Sequence, residues 1–304
     1  MPAPYPARAR SIMNIRRGRF APSPSGPLHF GSLVAAVASY LDARRGGGHW
    51  LVRIEDLDAP RVIPGAADDI LRTLDTFGFR WDGSILYQSS RAQAYDEAIE
   101  RLRAIGAGYP CACSRREVGE LGGVYPGTCR NGLWAGRNAR AWRVAVGAEE
   151  LSFVDCVQGV YRQNLADEIG DFIVRRADGC IAYQLAVVVD DAWQAITDVV
   201  RGADLLDSTP RQIWLQSLLK FPTPTYAHVP IALDVVGNKL SKQTLARPIQ
   251  REHPTPALHA ALRFLGQEIP SAFAKSSVAS IWEWAETHWD MARVPSVYGQ
   301  PFGD

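Results

Sequence analysis

Apolar residues recur at helical spacing in several stretches of this chain and alternate or cluster in others. Leu33, Val34, Val37, Tyr40 and Leu41 form one stripe, which predicts an amphipathic helix. Gly46-Gly47-Gly48 ends it. Short strand-like runs flank it at Arg17 to Phe20 and at Trp50 to Glu55. The order β-turn-α-β opens a doubly wound nucleotide-binding fold. Further helices are predicted near Ala66 to Phe77, with Asp68 and Asp69 in the first turn, and from Ser90 to Ile105. A third is predicted over Arg211 to Leu219 behind Ser208-Thr209-Pro210. Trp142 to Val146 and Leu151 to Val154 read as strands. Tyr183 to Val189, almost wholly apolar and β-branched late, reads as a buried parallel strand. Helical stretches at Ala257 to Leu265 and Val278 to Trp289 form the tail, with Trp282, Trp284 and Trp289 packing it onto the body.

At 304 residues and 47% apolar content, the chain can bury a sizeable core. No apolar run approaches membrane-spanning length, so no membrane association is expected. The formal net charge is +1, so an RNA partner must be held by a local patch. Arg8, Arg10, Arg16, Arg17 and Arg19 precede the first acidic residue, Asp42. Residues 1–12 read as a disordered leader, residues 1–17 together as a flexible one, without the apolar segment of a secretory signal.

Five cysteines suit a reducing, cytoplasmic setting better than a disulfide framework. Cys111, Cys113 and Cys129 are close in sequence on Gly-rich loops and invite a tetrahedral zinc. No histidine occurs between His49 and His228, so a fourth ligand comes from Tyr125, a carboxylate, water or a distant cysteine. The ion would be structural, fixing a segment poor in core residues. Cys156 and Cys180, in apolar runs, read as core.

Two motifs carry chemistry. In Ala21-Pro22-Ser23-Pro24-Ser25-Gly26-Pro27-Leu28-His29-Phe30-Gly31-Ser32 the prolines stiffen a turn, and Gly26 and Gly31 admit a ligand close to the backbone. The helix start that follows offers N–H groups and partial positive charge to phosphate, with His29 beside it. The second motif is Lys239-Leu240-Ser241-Lys242-Gln243. Among 33 lysines and arginines only Lys220, Lys239, Lys242 and Lys275 are lysines, so two of them meet here. A mobile ammonium suits charge developing on a phosphate. Gly237-Asn238 marks a turn that places them on a loop.

Together the motifs resemble the HIGH and KMSKS signatures of class I aminoacyl-tRNA synthetases, here His29-Phe30-Gly31-Ser32 and Lys239 to Gln243. Ser replaces the final His of the first signature. Arg19 to Gly26, Arg53-Ile54-Glu55-Asp56-Leu57-Asp58 and Val200 to Leu206 resemble the glutamyl branch, over about residues 17–247. Residues 244–304 are too few for an anticodon-gripping domain. The chain is therefore most similar to a truncated paralogue family, the glutamyl-queuosine tRNA(Asp) synthetases.

That resemblance implies activation of L-glutamate by Mg-ATP without tRNA, then transfer to the queuosine base at the wobble position of tRNA(Asp). It implies His29, Lys239 and Lys242 as catalytic residues, with His29, Gly31, Ser32 and Lys242 on ATP. Arg19, Phe20, Ala21, Pro22, Ser23, Glu55, Tyr183 and Arg201 would surround glutamate. Arg19 and Arg201 would each be able to clamp a carboxylate, Glu55 and Ser23 would take the ammonium, and Tyr183 would close one wall. One Zn2+ per chain would sit on Cys111, Cys113, Tyr125 and Cys129, with Mg2+ accompanying ATP, in a cytoplasmic monomer. The expected organisation is a leader to residue 17 and a nucleotide-binding half over 18–105. A zinc-bearing, acceptor-facing excursion over 106–182, a second half over 183–247 and a helical tail over 248–304 follow. A minimal glutamyl-tRNA synthetase charging a 3′ end is the near alternative, and a non-catalytic glutamate- or RNA-binding paralogue the distant one.

Overall fold

The computed structural model describes residues 15–120, 122–234, 237–238 and 248–302. The chain opens with β1 (Arg17–Phe20), α1 (Phe30–Arg44), β2 (His49–Ile54), α2 (Ala66–Thr76), β3 (Leu86–Tyr87) and α3 (Ala92–Ala104). The excursion holds β4 (Gly108–Cys111), α4 (Arg115–Glu120), β5 (Ala141–Val144), β6 (Glu150–Asp155), β7 (Gly159–Asn164), α5 (Leu165–Glu168) and β8 (Phe172–Arg175). Then come α6 (Tyr183–Trp193), β9 (Asp198–Gly202), α7 (Thr209–Leu219), β10 (Thr225–Val229) and β11 (Ile231–Leu233). The tail carries α8 (Pro254–Phe264), α9 (Val278–His288) and β12 (Gly299–Pro301). Residues 1–14 and the 239–243 motif lie outside the described residues, and Arg17, the last residue of the expected leader, instead begins β1.

β1, β2 and β3 pair in parallel in that order. A second sheet runs β7-β6-β10-β9, with β9, β10 and β6 parallel and β7 antiparallel to β6. The two sheets meet where β1 lies beside β9: Thr197 N–H donates to the Arg17 carbonyl at 2.9 Å. The α1 stripe, with Leu33, Val34, Val37 and Leu41 fully buried, covers this junction. So the doubly wound core is present, but the sheets are mixed rather than all parallel. β4, β5 and β8 form a separate antiparallel sheet under the cysteines. β6, from within the excursion, joins β10 through the single register pair Asp155 and Tyr226.

Two expectations fail. Tyr183 to Val189 is the start of helix α6, not a strand. Its Val187-Val188-Val189 run favours a strand locally, but a stretch that is apolar all round is also what a fully buried helix shows. Leu185 to Val189 are buried against α3 and α7, which supply the helix's surroundings. Cys156 and Cys180 are not core residues. Cys156 is exposed in the turn after β6, and Cys180 is half-buried in a turn where its Sγ donates to the Leu57 carbonyl at 3.3 Å. Cys156 falls in the turn after β6 and Cys180 directly follows the exposed Ala177-Asp178-Gly179 turn, so each sits at the solvent end of its run.

The tail packs as expected. Trp282 and Trp289 are buried in the main core, and Trp284 packs against it. Trp282 Nε1 donates to the Phe77 carbonyl at 2.8 Å, and its ring lies 4.8 Å from Tyr40 and 4.9 Å from Phe79. Gly78 (φ +77°) makes the approach possible, because a Cβ there would meet Val278 Cγ1 at 2.6 Å. Trp282→Ala should lower the unfolding free energy by about 3–5 kcal/mol, measured by urea titration. A loss under about 1 kcal/mol would mean that the tail is not integral to the core.

Candidate active site

Open parallel sheets take ligands where adjacent strands run to helices on opposite faces, at their carboxyl ends. Here that place lies between β1 and β9, and a cleft of about 590 Å³ opens there. Arg19, Phe20, Ala21, Pro22, Ser23, His29, Gly31, Ser32, Glu55, Tyr183 and Arg201 all line it. Every described residue assigned to glutamate or ATP thus faces one space, although the chain delivers them from four separate segments. Lys239 and Lys242 lie outside the described residues. The flanking chain borders the cleft: Ile231 and Ala232 line it, and Pro248 bridges to His29. The turn expected at Gly237-Asn238 forms, with Asp234 N–H donating to the Asn238 carbonyl at 2.8 Å.

The Pro-rich loop is tied down on both sides. Glu55 N–H donates to the Pro22 carbonyl at 3.0 Å, and Ile63 N–H to that of Pro24 at 2.9 Å. His29 caps α1. Its Nδ1 accepts from Ser32 N–H at 3.3 Å, so in the neutral ring the proton sits on Nε2, the donor a phosphate oxygen needs. No acidic side chain stands in the first turn of α1 to oppose an anion.

Beneath the cleft lies a buried ion network. Asp191 Oδ1 accepts from Arg19 Nε at 3.2 Å and from Arg53 Nη1 at 2.7 Å. Arg53, fully buried, also donates to Gln194 Oε1 at 2.8 Å and to Glu55 Oε1 at 3.4 Å. Burial opposes the Asp191 charge, but Arg19 and Arg53 overcome it and hold its pKa below the usual carboxylate range. Glu55 goes the other way. Burial raises its pKa despite Arg53 and Arg19, so an ammonium arriving from the cleft would favour its charged form. Arg19 and Glu55 therefore do not pair directly across β1 and β2; Asp191 and Arg53 stand between them.

Arg201 is held from three sides. Its Nε donates to His228 Nε2 at 3.0 Å, one Nη to Thr209 Oγ1 at 2.9 Å and the other to Tyr183 Oη at 3.3 Å. The sequence reading missed Arg53, Asp191, Asp155 and His228. A signal existed for Asp191: two consecutive aspartates, Asp190 and Asp191, close an otherwise apolar run, and buried carboxylates need cations.

The cysteines converge as expected. Cys111, Cys113 and Cys129 Sγ atoms lie within 4.8 Å of one another, so the cluster can hold a metal ion. Cys113 and Cys129 are 3.7 Å apart, near the roughly 3.8 Å edge of a tetrahedron with zinc–sulfur bonds. Tyr125 Oη lies 3.3 Å from Cys111 Sγ and 3.4 Å from Cys113 Sγ, placing a fourth oxygen among the thiols. Buried Arg143 donates to Cys111 Sγ at 3.3 Å and lies 3.8 Å over the Tyr125 ring, which suits thiolate charge. Gly170 (φ +71°) lets the β8 approach fold over Tyr125, whose carbonyl oxygen a Cβ would meet at 2.3 Å. The donor set and its charge fit zinc.

Comparison with known proteins fits this geometry. The class I tRNA synthetase (E and Q) catalytic-domain family matches residues 16–123 and 136–266. The glutamyl-Q tRNA(Asp) synthetase of Dechloromonas aromatica is 61% identical over 92% of this chain and 95% of that relative. Those of Aromatoleum aromaticum and Thiobacillus denitrificans are 58% and 57% identical over 91% and 92% of this chain, and 90% and 95% of theirs. Among solved structures, a glutamate tRNA ligase from Elizabethkingia meningosepticum in complex with its amino acid shares the fold. Its TM-score is 0.76 at 22% identity, over 95% of this chain and 67% of that one. By family match and by near full-length relatives, the chain belongs to the class I tRNA synthetases of the E and Q branch, within the glutamyl-Q tRNA(Asp) synthetase family.

Proposed function

We propose that the protein activates L-glutamate with ATP and transfers it to the queuosine base at the wobble position of tRNA(Asp). The observation that carries this reading is the cleft itself. It gathers two buried, anchored arginines, Arg19 and Arg201, and one half-buried carboxylate, Glu55, beside the start of α1. Glutamate brings two carboxylates and one ammonium, the complement of that set. The relatives' names give the acceptor.

In this mechanism the substrate α-carboxylate attacks the α-phosphate in line, the bond to the leaving pyrophosphate breaks, and glutamyl-adenylate forms. A hydroxyl of the modified base then attacks the acyl carbon, and AMP departs. No enzyme nucleophile is required, so the protein contributes positioning and charge stabilisation. His29, Gly31, Ser32 and the helix start steady the phosphates. Lys242, with Lys239, follows the charge as the bond to pyrophosphate breaks, and Mg2+ would accompany ATP as part of the substrate. Cys111, Cys113, Tyr125 and Cys129 would hold a structural Zn2+ that ties the excursion together, in a monomer.

Glutamine would leave a buried guanidinium without its anion, at a cost of about 3–5 kcal/mol. Purified protein without tRNA should exchange pyrophosphate into ATP with glutamate, but not with glutamine or aspartate. Labelled glutamate should then pass to tRNA from cells that make queuosine and not to tRNA from cells that do not. Equal transfer to both would identify an enzyme that charges 3′ ends; absent exchange would leave a non-catalytic binder.

Metal analysis of the purified protein should find about one zinc per chain. Its removal by a chelator should lower the melting temperature and expose the 109–145 region to protease. A protein that is folded and metal-free as isolated would end the zinc assignment.

A further inference from the structure

Directly behind the cleft, and absent from the mechanism so far, is a buried pair from elements distant in sequence. His228 on β10 and Asp155 at the end of β6 are both inaccessible to solvent. His228 Nδ1 lies 2.6 Å from Asp155 Oδ2, and its Nε2 lies 3.0 Å from Arg201 Nε. Chemistry fixes the ring's state. A guanidinium has only donors, so Nε2 must accept, and the ring proton must sit on Nδ1 and go to Asp155. Asp155 is itself locked, because its Oδ1 accepts the backbone N–H of Val157, Gln158 and His228 at 3.0, 2.9 and 3.0 Å.

We infer that His228, oriented by Asp155, is a positioning residue that fixes the Arg201 guanidinium for a substrate carboxylate. This rests on the reading of the cleft as a glutamate site. The relay runs Asp155 to His228 to Arg201 to the cleft, each link a single oriented hydrogen bond. Thr209 Oγ1 on α7 braces it, 3.2 Å from His228 Nε2 and 2.9 Å from Arg201 Nη2. The Tyr226 ring stacks parallel to the imidazole at 6.2 Å. Among the described residues, the charged groups acting on the ring are Asp155 from β6, Arg201 from β9 and, further off, Arg19 from β1. Burial lowers the His228 pKa, and Arg201 and Arg19 add to the effect against the pull of Asp155. The neutral ring is the working form. Protonation would put an N–H against the Arg201 N–H and release the arginine, so glutamate binding should hold above the ordinary histidine range and weaken as the pH falls below it.

Two substitutions separate positioning from packing. His228→Gln can offer a carbonyl oxygen near the Nε2 position, restoring the acceptor for Arg201. His228→Asn can offer an N–H near the Nδ1 position, keeping Asp155 satisfied and leaving Arg201 without its acceptor. In glutamate-dependent pyrophosphate exchange, Asn should raise the KM for glutamate roughly 10- to 100-fold while the KM for ATP stays within about twofold. Gln should recover most of the loss. Equal defects in Asn and Gln, or parallel rises in both KM values, would reduce His228 to a packing residue. A measurement on the unaltered protein does not depend on variants folding. The imidazole 15N NMR spectrum should show the Nδ1-protonated tautomer at neutral pH, with the glutamate KM rising over the pH range in which that ring titrates. An Nε2-protonated ring, or titration without a change in KM, would overturn the inference. Unaltered protein inactive with glutamate would instead sink the functional reading, and the tautomer would still test the relay.

Discussion

One carboxylate between two guanidinium groups sets the shape of the cleft. Asp191, on a helix of the second half of the chain, binds Arg19 of β1 and Arg53 of β2, strands of the first half. All three side chains are buried. Three buried charges pay a large desolvation cost unless they compensate one another, and removing one member of such a group costs about 3–5 kcal/mol. The same interactions place Arg19 and, through Arg53, Glu55 on the cleft wall. Joining the two halves and aiming the binding groups are thus one act.

The excursion between the halves contributes beyond the cysteines. Asp155, at the end of β6, reaches back to lock His228 behind Arg201. The cysteine cluster, the Arg143 stacking and the antiparallel sheet stabilise the remainder of the same segment. Arg201 sits at the meeting point of β6, β9, β10 and α7, so its orientation depends on chain that is far apart in sequence.

Much of the site was legible because its chemistry is local. The turn from Ala21 to Ser32 announces itself through prolines, glycines and one histidine followed by a helical stripe. The spacing of Cys111, Cys113 and Cys129 invites a metal site, and their convergence fits one, whereas the place of Tyr125 among them needed family resemblance first. Arg53 and His228 were illegible because their partners lie far away in sequence and no period or spacing marks them, whereas the Asp190-Asp191 pair marks a buried carboxylate without naming its partners. Asp191 also lies just past a stretch whose sequence reads as a strand. A run that is apolar on every side carries no period, so the Tyr183 to Val189 segment could not separate strand from buried helix. Cys156 and Cys180 misled for a related reason: an apolar run says nothing about whether a residue at its end turns outward.

The central claim is that the Asp191 network preorganises the glutamate-facing groups. It is tested most directly by calorimetric titration of glutamate into Asp191→Asn, which keeps the shape and removes the charge. Binding should weaken at least about tenfold, or roughly 1.4 kcal/mol, in protein that still folds. Affinity equal to that of the unaltered protein would show that the cleft groups are held by something other than this buried carboxylate.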